Sequence, residues 1–81
     1  MTEREAFPAL ARRYSIDAQR QPWTAKGKWF ALAFIEQAER DFRKAITDGS
    51  PRDQEDAALD LAAKCLRFAA GEHLPKKENK P

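Results

Sequence analysis

The segment TDGSPRD, in the middle of the chain, constrains the fold more than any other stretch of this sequence. Gly49 suits the left-handed conformation that ends a helix, Ser50 suits the cap of the next helix, and Pro51 suits its first turn. Asp53 follows Ser50 by three residues, as in a capping box. Because the connection is so short, the flanking helices must lie antiparallel and next to each other. The sequence therefore predicts a helical hairpin.

Apolar side chains recur at helical spacing on both sides of this junction, and they predict helices over residues 25–47 and 51–70. The stripe on the second helix lies around Leu61, Cys65 and Phe68 and covers roughly 200° of its circumference. One antiparallel neighbour cannot cover so wide a stripe, so we expect a further helix to pack on it. Cys65 lies near the middle of the stripe, and we expect a small buried hydrophobe there rather than a reactive thiol.

The N-terminal segment can supply that further helix, because its apolar side chains also recur at helical spacing over about residues 7–18. Thr2 and Glu5 have the spacing of a capping box. A helix that began there would, however, contain Pro8, which removes a hydrogen bond and clashes with the preceding turn. We therefore expect the helix to begin near Phe7, with Pro8 in its first turn.

These three helices predict an all-α fold, a small three-helix bundle built on a long antiparallel helical hairpin. We expect residues 1–70 to form a single helical domain and residues 71–81 to form a polar, mobile tail. A chain of 81 residues buries only a thin core. For that reason we expect a homodimer through Leu61, Cys65 and Phe68.

The composition narrows the class of protein. One cysteine cannot close an internal disulfide, and one cysteine with one histidine cannot fill a four-ligand zinc site. No run of about 18 apolar residues could span a membrane, and the charged N-terminus does not resemble a secretory signal. We expect a cytoplasmic protein that binds no metal and no cofactor.

The run QPW, the helix end KAITDG and the helix start ALDLA carry a family resemblance. In order and spacing they are similar to the all-α nucleotide pyrophosphohydrolases of the MazG kind, over residues 21–70. The resemblance implies a Pro-Trp before a helix with Glu-x-x-Glu, and a next helix with Glu-x-x-Asp. In that family these four carboxylates bind magnesium near a nucleotide triphosphate. Aligned through AIT and ALD, the four positions fall on Ala38, Asp41, Ala57 and Asp60.

The chain departs from the family pattern at half of these ligand positions. Shifting the first helix to the run EQAE restores Glu36 and Glu39 but leaves Ala57 in place of a ligand. Asp60 and Glu36 are also expected on outward faces of their helices, where they cannot converge on one magnesium ion. We therefore expect a solvated charged face and no enzymatic activity, with a degenerate or active pyrophosphohydrolase as an alternative.

The stretch QPWTAKGKWF, residues 21–30, places two tryptophans beside two lysines. At helical pitch Trp29 points well away from the buried face of its helix. One interpretation makes Trp29 an exposed anchor of an interface, the residue type most enriched at binding hot spots. The other buries it with Trp23 in a satellite cluster that docks the N-terminal third.

Basic and aromatic side chains of the N-terminal third form the candidate partner-binding set. Its members are Arg12, Arg13, Trp23, Lys26, Lys28 and Trp29. Such mixtures also bind nucleic acid, where cations contact phosphates and aromatic rings stack on bases, but the net charge is only +2. We expect a small non-enzymatic adaptor or inhibitor that binds a protein partner, of the kind found among phage accessory proteins. A nucleic-acid-binding protein is the alternative.

Overall fold

The computed structural model describes residues 1–75, and this part of the chain forms three α-helices. They are α1, Glu3–Arg20, α2, Lys28–Asp48, and α3, Pro51–Ala69. The described residues contain no strand, so the predicted all-α fold is confirmed. None of these helices is long and apolar enough to cross a membrane.

The hairpin junction forms as predicted, but Gly49 has a different role. The Ser50 hydroxyl accepts a hydrogen bond from the Asp53 backbone N–H at 3.2 Å, and the Asp53 carboxylate accepts one from the Ser50 N–H at 3.1 Å, which completes a capping box. Gly49 is not left-handed, because its φ is −89°. A Cβ at this position would lie 2.8 Å from the Ala45 carbonyl oxygen, so a close backbone approach requires glycine here.

The start of α1 corrects the expectation that this helix begins near Phe7. Thr2 caps the helix and forms a capping box with Glu5, so that Pro8 lies inside the helix. The box satisfies two N-terminal donors and favours the early start. Pro8 leaves the carbonyl of Arg4 without its helical partner, and because both residues are exposed, water can replace that bond.

The start of α2 is later than predicted because the preceding loop has a backbone that a helix cannot continue. Ala25 has a φ of 60° and Gly27 a φ of 89°, and α2 begins directly after Gly27. The helix α3 begins where the hairpin signals place it, and it ends at Ala69.

The three helices lie side by side, with α3 in the middle. It packs against α2 and against α1, whereas within the described residues no Cα atom of α1 lies within 8 Å of a Cα atom of α2. The prediction that α3 has a second neighbour is therefore confirmed. On α2 the buried positions are Ala31, Ala38 and Ala45, each seven residues from the next, so α3 meets a face of small side chains.

The buried side of α3 differs from the predicted one. Ala63 and Arg67 are fully buried, whereas Cys65, expected at the centre of a buried stripe, is exposed. Leu66 is 45% exposed and Phe68 37% exposed. The reason is that α1 packs on a side of α3 that carries charged residues, which an apolar pattern cannot reveal.

Candidate interaction surfaces

The first aromatic residue of the QPWTAKGKWF stretch, Trp23, is completely buried at the junction of the three helices. Its ring stacks on Phe34 of α2 with 6.1 Å between the ring centroids. The guanidinium of Arg67 also lies over the Trp23 ring, 3.9 Å from the ring centroid. Such a distance is typical of a strong cation–π contact. Trp23 is therefore removed from the predicted partner-binding set, because its side chain offers no surface to a partner.

Arg67 connects α3 to three other segments of the chain. Its Nη1 donates to the Asp17 carboxylate of α1 at 2.7 Å. Its Nε donates to the Glu72 carboxylate at 2.9 Å, and its Nη2 donates to Glu72 and to the backbone carbonyl of Gln21. A planar guanidinium with five donors is suited to such a set of acceptors. This network explains how a charged residue can be fully buried.

A second cation, Lys64, reinforces the same network. Its Nζ lies 2.9 Å from the carboxylates of both Asp17 and Asp60. Burial opposes the ionised form of Asp17, but the hydrogen bonds from Lys64 and Arg67 outweigh it and hold the pKa of this carboxyl below its ordinary value. Burial likewise lowers the pKa of Lys64 and Arg67, and their hydrogen bonds to carboxylates reverse this, so both pKa values are raised. Asp17, Lys64 and Arg67 are therefore all charged in the folded protein at neutral pH.

Residues after α3 belong to the fold up to Pro75, which corrects part of the predicted mobile tail. Gly71 has a φ of 76° and turns the chain back, and His73 then stacks on Phe68 with 4.1 Å between the ring centroids. The His73 carbonyl accepts a hydrogen bond from the Gly27 N–H at 3.0 Å. His73 is 6% exposed. The rest of the predicted tail, residues 76–81, lies outside the described residues.

Trp29 is on the surface, as the anchor interpretation expects. Its side chain is 72% exposed, and the Lys28 ammonium lies 5.4 Å from its ring centroid. The Lys26 ammonium lies 5.5 Å from the ring centroid of Phe30, in the same first turn of α2. We call Trp29, Lys26 and Lys28 the Trp29 patch.

The two arginines of the predicted set lie on α1, whose Cα atoms all lie more than 8 Å from those of α2. Arg13 forms ion pairs with Asp56 and, at 3.6 Å, with Asp60 of α3, so part of its charge is neutralised within the chain. Arg12 is exposed. The structure therefore brings together Lys26, Lys28 and Trp29, but it does not gather all six predicted residues into one site.

The carboxylates implied by the family resemblance do not converge. Asp60 is paired with Lys64 and Arg13, and Asp41 accepts a hydrogen bond from Gln37 at 3.1 Å. Ala38 is buried in the α2–α3 contact. Among residues 1–75, no three side chains of His, Cys, Asp or Glu lie close enough to hold a metal ion.

An open apolar groove of about 440 Å³ runs between α1 and α3, and sequence reasoning did not identify it. Phe7 is 67% exposed on one wall and Leu66 45% exposed on the other. The lining residues, none of them charged, are Phe7, Leu10, Ala11, Tyr14, Leu66 and Ala70. We call this the α1–α3 groove. In the sequence, the apolar residues of α1 at helical spacing are the signal of this groove. That pattern was interpreted as a stripe that faces the core.

Comparison with known proteins gives no further guide to function. No protein-family model, no curated protein and no solved structure matches the chain significantly. The likeness to MazG-type pyrophosphohydrolases therefore rests on the residues that carry it.

Proposed function

We propose that this protein is a small non-enzymatic adaptor or inhibitor that binds a protein partner through the Trp29 patch. The observation that carries the proposal is the exposure of Trp29, which at 72% is the highest among the large apolar residues of the described part of the chain. Tryptophan is the residue type most enriched at interface hot spots, and a large exposed aromatic ring is costly to leave in water.

The two lysines indicate the chemistry of the partner. Lys28 lies over the Trp29 ring and Lys26 over the Phe30 ring, so each ammonium is held beside an aromatic face. A partner with an apolar pocket for the Trp29 ring, and with carboxylates around that pocket, would complement both the ring and the two ammonium groups. The aromatic ring would supply affinity, and the charges would supply specificity and association rate.

A capture experiment with matched variants tests this proposal. The wild-type protein, Trp29→Ala and Ile46→Ala would each be immobilised, and the retained proteins from the native host identified by mass spectrometry. Ile46 is the control because it is also an exposed apolar residue of α2, at 55% exposure, and lies nearly five helical turns from Trp29. We expect one protein to be retained by the wild type and by Ile46→Ala and lost with Trp29→Ala. Equal retention by all three would contradict the proposal.

Nucleic-acid binding is a second candidate, favoured by the exposure of several cations. Arg12, Arg20, Lys26 and Lys28 are all exposed, and Trp29 could stack on a base. The two candidates predict different salt dependence, because neutralised phosphates release counterions. A DNA or RNA affinity that falls steeply with salt and is lost with Trp29→Ala would favour nucleic acid over a protein partner.

The family resemblance supplies a third candidate, a degenerate or active nucleotide pyrophosphohydrolase. Its aligned carboxylate Asp60 is occupied by ion pairs with Lys64 and Arg13. Magnesium-dependent cleavage of nucleoside triphosphates, abolished by Asp60→Asn and Asp41→Asn but retained by Trp29→Ala, would support it. Absence of cleavage together with retained nucleotide binding would indicate the degenerate form.

A further inference from the structure

The contact between α1 and α3 differs in kind from the contact between α2 and α3. On α2 the side chains of Ala31, Ala38 and Ala45 are buried, whereas none of the residues of α1 is. The most enclosed side chains of α1 share one face of the helix and are only half-buried. They are Ala6, Ala9, Leu10, Arg13, Tyr14, Asp17 and Ala18. Burial of apolar surface therefore contributes less to holding α1 than to holding α2.

Charged groups join α1 to α3 at several points along the helix. Each ion pair links a group in residues 1–20 to a group of α3, and the pairs are Met1 with Glu55, Arg13 with Asp56 and Asp60, and Asp17 with Lys64 and Arg67. In the described part of the chain, every hydrogen bond between residues 1–20 and α3 has a charged partner. The docking of α1 therefore depends on charge.

The rest of the fold has contacts of its own that do not involve α1. The ring of Trp23 stacks on Phe34 at 6.1 Å, and the capping box at the hairpin joins residues of the junction and of α3. Without α1, Arg67 would keep two of its partners, the Glu72 carboxylate at 2.9 Å and the Trp23 ring at 3.9 Å. All Cα atoms of α1 lie more than 8 Å from those of α2. The hairpin and the turn after α3 can therefore persist when α1 leaves.

We propose that α1 is a releasable arm, which is held on α3 by charge and detaches as a unit while the α2–α3 hairpin stays folded. Proteins open locally in such cooperative units, and elements with few buried apolar contacts open at the lowest free energy. Release takes the Asp17 carboxylate away from Lys64 and Arg67. It therefore uncovers two cations on α3 that the docked arm neutralises.

The arm should respond to ionic strength. Salt screens an exposed pair such as Arg13 with Asp56, whose side chains are 28% and 67% exposed, more than the enclosed pair of Asp17 with Arg67. Release should therefore become easier as the salt concentration rises. The contact between α2 and α3 should respond much less, because the buried residues of α2 are alanines.

Hydrogen–deuterium exchange of the full chain, followed by mass spectrometry of peptic fragments, tests the proposal. A single helix of this length is marginally stable in water, so the amides of α1 exchange when the arm is released. In the wild type we expect them to exchange at least about tenfold faster than the amides of α2 and α3. The ratio should grow between about 0.01 M and about 1 M sodium chloride, as the Debye length falls from about 30 Å to about 3 Å.

Arg13→Glu and Arg12→Glu form a matched pair, because they make the same change at neighbouring positions of one helix. Arg13 forms ion pairs with Asp56 and Asp60, whereas Arg12 is exposed. We expect Arg13→Glu to speed exchange in α1 at least about fivefold, with α2 and α3 unchanged, and Arg12→Glu to have little effect. Adding Asp56→Lys to Arg13→Glu should restore part of the protection, because opposite charges then face each other again.

Two results would overturn the proposal. One is equal protection of the three helices in the wild type, because the molecule would then open only as a whole. The other is an Arg13→Glu variant that exchanges as Arg12→Glu does, or that loses protection equally in all three helices. These measurements need no partner, and Trp29 lies outside the arm, so their outcome is independent of the proposal about the Trp29 patch.

Discussion

At the scale of single residues, Arg67 is the most consequential side chain of the molecule. It is fully buried, it covers the ring of Trp23, and its donors satisfy Asp17, Glu72 and the carbonyl of Gln21. Removing one member of a buried ion network leaves the others desolvated and unpaired, which is far more unfavourable than losing a surface pair. The fold therefore depends on a residue that composition alone would place on the surface.

Arg67→Met should lower the free energy of unfolding by about 3 to 5 kcal/mol, because Asp17 and Glu72 lose their buried partner. The matched control is Arg43→Met, whose ion pair with Glu39 lies on the surface with the arginine 76% exposed. That change should cost less than about 0.5 kcal/mol. Urea denaturation measures both. Similar effects of the two substitutions would show that the Arg67 network does not exist.

The Asp17 carboxylate should make stability depend on pH in the acidic range. Its folded pKa lies below the unfolded value, so its contribution is fully present above the unfolded pKa and is lost as the pH falls through the folded one. Stability should therefore fall below about pH 4. In urea titrations Asp17→Asn should be less stable than the wild type at neutral pH, and the difference should shrink on acidification. A difference that stays constant with pH would argue against the ion pairs of Asp17.

At the scale of secondary-structure elements, capping boxes set the N-termini of α1 and α3, and the two unusual residues near them, Pro8 and Gly49, have opposite effects. Gly49 is required by a close backbone approach at the hairpin. Pro8 is accepted within α1 at a cost in free energy. At each position the structure and the simplest interpretation of the sequence predict different effects of a substitution on stability.

Gly49→Ala should destabilise the protein by about 1 to 3 kcal/mol, because a Cβ would lie 2.8 Å from the Ala45 carbonyl oxygen and 2.9 Å from the Asp53 Cβ. Gly49→Asn separates this cause from a left-handed backbone, where asparagine is better tolerated than alanine. We expect asparagine to be no better than alanine in chemical denaturation. If Gly49→Asn were clearly more stable than Gly49→Ala, the result would instead support a left-handed backbone at position 49.

Pro8→Ala should stabilise the protein by about 1 to 3 kcal/mol. The substitution restores a backbone donor to the Arg4 carbonyl and removes a ring that clashes with the preceding turn. If α1 instead began near Phe7, Pro8 would lie in the first turn, where proline is favourable, and alanine would bring no gain. Thermal unfolding of the two proteins distinguishes these cases.

At the scale of the whole molecule, the Trp23–Arg67 junction joins all three helices and the turn after α3, whereas Trp29 faces solvent at the start of α2. The two tryptophans should therefore report different environments. Trp23→Phe should leave a red-shifted emission that acrylamide quenches readily, and Trp29→Phe should leave a blue-shifted emission that resists quenching. Blue-shifted, quencher-resistant emission from Trp23→Phe would show that Trp29 is buried and would contradict the proposal that it anchors a partner.

Local signals in the sequence were sufficient for much of the architecture. Glycine, serine and proline at the hairpin junction, with Asp53 three residues on, determined the boundary between α2 and α3, because caps and turns depend on a few neighbouring residues. Helical spacing determined that α1 exists and that α3 needs two neighbours. It also placed Trp29 away from the buried face of α2. These features follow from interactions within about one helical turn.

The tertiary structure alone decided which side of α3 is buried, where Trp23 lies and which apolar residues stay exposed. Asp17 and Arg67 are 50 positions apart in the chain, and Gln21 and Arg67 are 46 apart, so no spacing rule reveals that they meet. A charged side chain counts as polar in any periodic pattern, yet here ion pairs from Asp17 and Arg13 join α1 to α3 where apolar contacts were expected. Once charges hold that contact, the apolar side chains of α1 and Leu66 remain on the surface of the α1–α3 groove. The sequence thus determined the helices and most of their boundaries, because those depend on local backbone and capping chemistry. Only the long-range pairing of charges determined which face of each helix packs against its neighbour.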